Sequence, residues 1–235
     1  MAGLSAADGE TDLPGRLLAL AGPPRAVAAG ERVTVPGDAP AALVILEGWA
    51  GTMVRIDADR RQLADLLLPG DAWLPLGHGY AGEGLVALTP LAAAPVPAGA
   101  LREAGRASPD LLWRAATFVA AQNARLVQQV ARNGRRTARE RVAHLLLELY
   151  ERLRIKGQAA DGAFDLPVGQ SVIADMVGLS YVHVSRVLTH LERSGMIERT
   201  RTTVALRDRS ALDALCGFDA AYLGRASESG GAVPQ

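Results

Sequence analysis

The sequence predicts an α+β protein whose strands precede its helices, and three observations carry that expectation. From Arg25 to about Val96, short β-branched or leucine-rich runs alternate with Gly, Pro and Asp, the pattern of strands and turns. Beyond Ser108 the apolar spacing becomes helical. The charge changes as well: six basic and eleven acidic residues lie up to Ala100, nineteen and fourteen beyond it, so the formal net charge of +0 is a cancellation between unlike halves. With 235 residues, 49% of them hydrophobic, the chain can bury a sizeable core.

The first 15 residues hold no Lys or Arg and no continuous apolar stretch, so they are expected to form a loose tail and not a secretory signal. Strands are expected at Arg32 to Val35, Ala42 to Leu46, Thr52 to Ile56, Gln62 to Leu68 and Leu85 to Leu88. Asp57-Ala58-Asp59-Arg60 and Pro69-Gly70-Asp71 supply turns between them, and so many short strands fit a sandwich, barrel or β-roll. Gly84 to Leu101 is uncharged and about as long as the ~18 residues of a candidate membrane span. Pro90, Pro95 and Pro97 break it into short buried strands instead, so no membrane association is expected.

Ser108-Pro109-Asp110 can start a helix, with Ser108 as cap and proline at the first position. Along it Leu112, Ala116, Val119, Asn123, Leu126 and Val130 recur at alternating steps of four and three, the seam of a parallel two-stranded coiled coil. A helix packed on its own domain needs a similar stripe, so the spacing admits both readings. Asn133-Gly134 is expected to end this helix and to serve as a hinge; a second begins near Thr137, with Val142, Leu145, Leu146, Leu149 and Leu153 on one face.

Gln170 to Arg193 carries the chemistry. Two short helices break at Gly178, with small Ala174 at their crossing and Ile173, Val177, Leu179, Val184 and Val187 as the apolar residues between them. Ser180 can cap the second helix, which then offers Tyr181, Val182, His183, Ser185, Arg186 and His190 to the major groove of DNA. Gln170 and Ser171 begin the first helix and are further candidates for contact. The run from Glu198 to Leu206 alternates like a hairpin with basic residues near its turn, a wing that would hold Arg199, Arg201 and Thr202 beside the phosphates.

The chain here resembles the Crp/Fnr family of bacterial transcription regulators. The resemblance rests on Leu46-Glu47-Gly48-Trp49, Arg60-Arg61-Gln62-Leu63, Leu67-Leu68-Pro69-Gly70-Asp71, Arg139-Glu140-Arg141-Val142-Ala143 and Ile173 to Ile197, in matching order. It implies an N-terminal antiparallel β-roll of the double-stranded β-helix type, a long dimerisation helix and a C-terminal winged helix-turn-helix. The expected divisions are a tail 1–15, a cyclic-nucleotide-binding-like sensor 16–107, a dimerisation helix 108–133, a DNA-binding domain 134–217 and a tail 218–235. Arg186 falls at the family's guanine-reading arginine and Ser185 at a base-contacting serine of the Fnr branch. Val182 stands where many members carry a base-reading glutamate, so the usual half-site does not carry over; Val offers only apolar contact, for instance to a thymine methyl. Tyr181 and His183 could compensate, or His183 could touch phosphate alone.

For the sensor, no arginine occurs between Arg61 and Arg102, whereas a buried cyclic phosphate needs a cationic partner, so cyclic nucleotide is not expected as an effector. Lone Cys216 can form neither an intramolecular disulfide nor an Fnr-type iron–sulfur site, and fits a reducing, cytoplasmic home. His78, the only histidine of the sensor half, could be a haem axial ligand or an exposed loop residue; Trp49 and Trp73 are core residues or line an effector pocket with it. No cofactor or metal is otherwise expected, and no catalytic constellation is present. The expected partners are a second copy, a near-palindromic double-stranded operator and, by family resemblance, RNA polymerase. The competing reading is a small-molecule or haem-binding module whose helix pair contacts protein.

Overall fold

In the computed structural model, which describes residues 13–33, 42–57, 60–74 and 84–223, the strand-rich half folds as two antiparallel sheets. One has the order β1 (Arg25–Val27), β7 (Leu91–Val96), β2 (Ala42–Glu47), β5 (Ala72–Trp73); the other is β4 (Arg61–Leu67), β3 (Ala50–Arg55), β6 (Gly84–Ala87). Leu43, Ile45, Ala50, Leu67, Leu85, Leu91 and Ala93 fill the space between them. Of the expected strands, four appear within two residues of their predicted ends; Arg32 makes only an isolated bridge to Val86, and 34–35 lie outside the described residues. Gly48 turns β2 into β3 at φ 78°, where a Cβ would overlap the Pro90 carbonyl.

The two-residue periodicity misses one feature of β4. Thr52 pairs with Asp65 but Met53 pairs with Leu63, so Ala64 is an extra residue in the ladder. The bulge re-aims Leu63 to the face used by Leu66 and Leu68, away from Leu67. That outer face does not meet water. It joins Trp49, Met53 and Val86 in one buried cluster with the helices of the C-terminal half.

Two expected boundaries are corrected at the N-terminal half. The tail to residue 15 is too long, because α1 (Leu13–Leu18) buries Leu13 and Leu17 against β2 and the long helix. A helix also precedes Ser108: α2 (Ala98–Ala107) runs up to it, and the Ser108 side chain makes no capping bond, leaving Pro109 at the first position to start α3 (Pro109–Arg135).

Nor does Asn133-Gly134 end α3. The helix continues through both residues, and the break comes at Arg136, whose ψ of 150° is extended. Asn133 instead donates its side-chain amide to the Met176 carbonyl at 3.1 Å. Thr137 then caps α4 (Ala138–Ile155) in a reciprocal capping box with Glu140, an arrangement worth about 1 kcal/mol. The break between the two helices therefore sits at Arg136–Thr137.

α4 is buried nearly all round, and its polar residues are paired across elements. Arg132 of α3, fully buried, donates to Glu148 at 3.0 Å and approaches His144 Nδ1 at 3.4 Å. Tyr222 donates to the same Glu148, and its ring stacks on His144, with Phe218 edge-on. Residues 218–223 are thus part of the fold, including the short turn of 3-10 helix Ala220–Leu223, and the expected tail from 218 is corrected. Only 224–235 lie outside the described residues at that end.

Candidate DNA-binding surface

The site grows from one left-handed residue. Gly178, at φ 65° and ψ 40°, ends α5 (Gln170–Val177), and the chain re-enters α6 (Tyr181–Arg193) bent by 103°. Ser180 caps α6 by accepting from the His183 amide at 3.2 Å. Ile173, Ala174, Met176, Val177, Val184, Val187, Leu188 and Leu191 are buried, which fixes the opposite face of α6 outward. Tyr181 and Val182 are 57% and 55% exposed; His183, Arg186 and His190 are exposed and Ser185 half-buried on that face. Val182, an apolar side chain on this face, can meet a base edge only by apolar contact, for instance with a thymine methyl.

Beside α6, β10 (Ile197–Arg199) and β11 (Thr203–Leu206) form the wing, extended by β9 (Ala163–Asp165) and β8 (Ala159–Ala160) into one four-stranded sheet. Arg201 and Thr202 are exposed at its turn. Arg199 differs from expectation: its guanidinium is half-buried and lies 2.9 Å from Glu192 of α6, so it ties wing to helix. Ser171 is exposed at the start of α5, while the Gln170 side-chain oxygen is buried without a hydrogen-bond partner.

The residue pattern alone overlooked a concave surface of about 490 Å³ between α6 and the start of α4. Thr137 and Arg139 face Ser180, His183, Arg186 and His190 across it, and Arg139 Nη1 stands 3.2 Å from His190 Nε2. A helix N-terminus with an adjacent arginine suits a phosphate. The signal was present in Thr137-x-x-Glu140, a capping box with Arg139 inside it.

The seam of α3 is open along one side. Leu112, Ala116, Asn123, Leu126 and Val130 are exposed, Val130 at 74%, but Val119 is half-buried against the β-roll. Trp113 and Val127, 70% and 58% exposed, belong to the open stripe that the spacing assigned to their neighbours. Of the effector candidates, Trp49 is buried in the cluster that includes α4 residues, in line with the core reading and not with the pocket reading; Trp73 packs half-buried on the inter-sheet core. His78 lies outside the described residues.

Residues 140–215 match the Crp-like helix-turn-helix domain. The nitrogen fixation regulation protein FixK of Bradyrhizobium diazoefficiens is 32% identical over 174 residues, which cover 73% of this chain and 72% of that protein. The chain belongs to the Crp/Fnr family. Another member it resembles is the transcriptional activator protein FnrL of Cereibacter sphaeroides, 28% identical over 177 residues, 74% of this chain and 71% of that one. The solved structure of FixK2 from Bradyrhizobium japonicum superposes with a TM-score of 0.73 at 26% identity, covering 83% of this chain and 96% of that one. These relatives are regulators, so this Crp/Fnr protein is a DNA-binding regulator, and the reading of its helix pair as a protein-contact module is not favoured.

The Arg60-Arg61-Gln62-Leu63 run has a structural role in this Crp/Fnr chain. Arg61 bridges to Asp175 of α5 at 2.8 Å, and Gln62 donates to the Asp175 and Met176 carbonyls. The sheet that contains β4 is docked straight onto α5, the first helix of the helix-turn-helix. Among the described residues no single helix is long and apolar enough to cross a membrane.

Proposed function

We propose that this protein works as a homodimer that reads a near-palindromic operator, with α6 of each copy in the major groove and the α3 pair setting half-site separation near one helical turn. The observation that carries it is the outward face of α6, where Val182, His183 and Arg186 stand open beside Arg139, with Arg201 exposed at the turn of the wing. Base edges meet the first three and phosphates the last two. The open stripe on α3 supports the dimer. A cytoplasmic setting and contact with RNA polymerase complete the reading. Effector control by cyclic nucleotide is disfavoured by the arginine-free stretch from 62 to 101, and haem would have to rely on His78.

Selection of binding sites from random-sequence duplex tests it. Enrichment of a two-fold symmetric sequence, bound by the dimer with an affinity that falls steeply with salt, is the expected result. Recovery of no shared sequence, or of a single unpaired half-site, would overturn it.

A further inference from the structure

The concave surface between α6 and the start of α4 has a one-sided lining. Arg139, His183, Arg186 and His190 are its ionisable residues, and no carboxylate is among the described residues that line it. The acidic neighbours on the elements packed around α6 are turned to other partners. Glu140 of α4 accepts from the Thr137 amide at 2.7 Å, and Glu192 of α6 itself holds Arg199 of β10 at 2.9 Å. Glu198 of β10 holds Arg207 at 2.6 Å, and Asp175 of α5 holds Arg61 at 2.8 Å. Arg141 of α4 turns inward, donating to the Arg136 and Val177 carbonyls, and Arg193 of α6 lies outside the lining. What meets His190 from across the surface is Arg139, whose Nη1 stands 3.2 Å from His190 Nε2.

A guanidinium can only donate, so in this contact Nε2 accepts and carries no proton. The pair therefore belongs to a neutral ring. A phosphate laid over it changes the demand. Its oxygens accept from Arg139 and from Nε2 together, and its charge favours the imidazolium, so docking draws a proton onto the ring. Position points to the backbone: His190 lies seven residues, about 10 Å, beyond His183 along α6, beside α4 and away from the N-terminal end that reaches base edges. We propose that Arg139 and His190 form a two-armed site for one DNA backbone phosphate, and that His190 takes up a proton as the phosphate docks. This rests on the proposed function, in which α6 is the groove helix. Because the bound state holds more protons, DNA affinity rises as pH falls through the range in which histidine changes charge. One proton per copy sets the ceiling for a dimer at roughly 100-fold per pH unit.

Fluorescence anisotropy of the full-length protein on the selected operator and on scrambled duplex, at fixed salt from about pH 6 to 8.5, tests the site. Affinity should fall by about threefold or more per pH unit within that range, and by the same factor on both duplexes, since a phosphate contact is blind to sequence. His190→Gln should flatten the profile on both. His190→Arg, charged throughout, should flatten it at the affinity the unsubstituted protein reaches at low pH, whereas His183→Gln should leave the slope in place. Both histidines are exposed, and thermal melting checks that each variant keeps the fold. A flat profile in the unsubstituted protein, a slope confined to the operator, a slope that survives His190→Gln, or one that vanishes with His183→Gln would each overturn the site while the operator reading stands. Binding to neither duplex would overturn that reading and the site with it.

Discussion

Arg186 and Arg139 are both exposed arginines bordering one concave surface, yet they should fail differently. Arg186 is proposed to read a base, so in Arg186→Ala binding to the selected operator should weaken by ~1–3 kcal/mol per half-site while binding to scrambled duplex barely changes. Arg139, proposed to touch a phosphate, is present in each copy, so Arg139→Ala should weaken both equally and lower the salt slope by about 1 per half-site, about 2 for the dimer. Fluorescence anisotropy on both duplexes across salt separates them, and unchanged discrimination in Arg186→Ala would move the reading residue elsewhere on α6. His144 gives a residue-scale prediction for stability. Burial, then the charges of Arg132 and Arg136, hold its ring down from 6.5 to about 3, and its Nδ1 accepts from a guanidinium that only donates. Folded protein therefore keeps the ring neutral where unfolded chain protonates it. Stability is fully present above pH 6.5 and is lost as pH falls from there towards 3, by at most ~1.4 kcal/mol per pH unit. His144→Leu should flatten that slope in urea midpoints measured through the window; an unchanged slope would assign it to other groups.

At the scale of elements, what the sequence made legible was local. Capping at Ser180, the left-handed Gly178 and the small Ala174 each specify α5 and α6 from within a dozen residues, and they were read correctly. The α3 seam shows the limit of periodicity. The series 112, 116, 119, 123, 126, 130 and the series 113, 116, 120, 123, 127, 130 share three positions, and only packing on the β-roll decides between them. Val119 turned inward and Val127 outward because Leu111, Phe118 and the α1 leucines draw one side of α3 onto the roll. A charge at 119 would damage that domain as well as a dimer. Val127→Glu with Val130→Glu should leave the fold and its melting temperature nearly intact while light scattering reports a monomer, since both side chains are more than half exposed in the single chain. A dimer that survives would show that α3 is not its seam. The folded 218–223 has a tertiary cause: Tyr222 donates to Glu148 of α4, which also accepts from Arg132 of α3.

Across the whole molecule, the acidic and basic halves meet in a buried ionic cluster that no local pattern announces. Asp65 of the sensor accepts from Arg125 of α3 at 2.7 Å and faces Arg152 of α4 at 3.4 Å; Asp71 holds Arg152 at 2.9 Å and Lys156, the one lysine in the sequence, at 2.6 Å. The pairs are separated by 60 to 87 residues along the chain, so only the assembled fold brings them together. Burial alone would push the Asp71 carboxyl up, but Lys156, Arg152 and Arg125 outweigh it and hold the group well below the usual carboxylate range. Folded protein thus keeps Asp71 ionised where unfolded chain takes up a proton, so its contribution is present above pH ~4 and lost as pH falls below that. Asp71→Asn keeps the shape and leaves two buried cations short of a counter-charge, at a cost of about 3–5 kcal/mol. The loss should be concentrated at the joint between the halves. Thermal unfolding should show a lower melting temperature together with a shallower acid limb, and hydrogen exchange should rise in β4 and α4 before it rises in α6. Exchange that rises uniformly, or a melting temperature equal to that of the unsubstituted chain, would mean that the apolar face of Leu63, Leu66 and Leu68 docks the sensor without help from the ions.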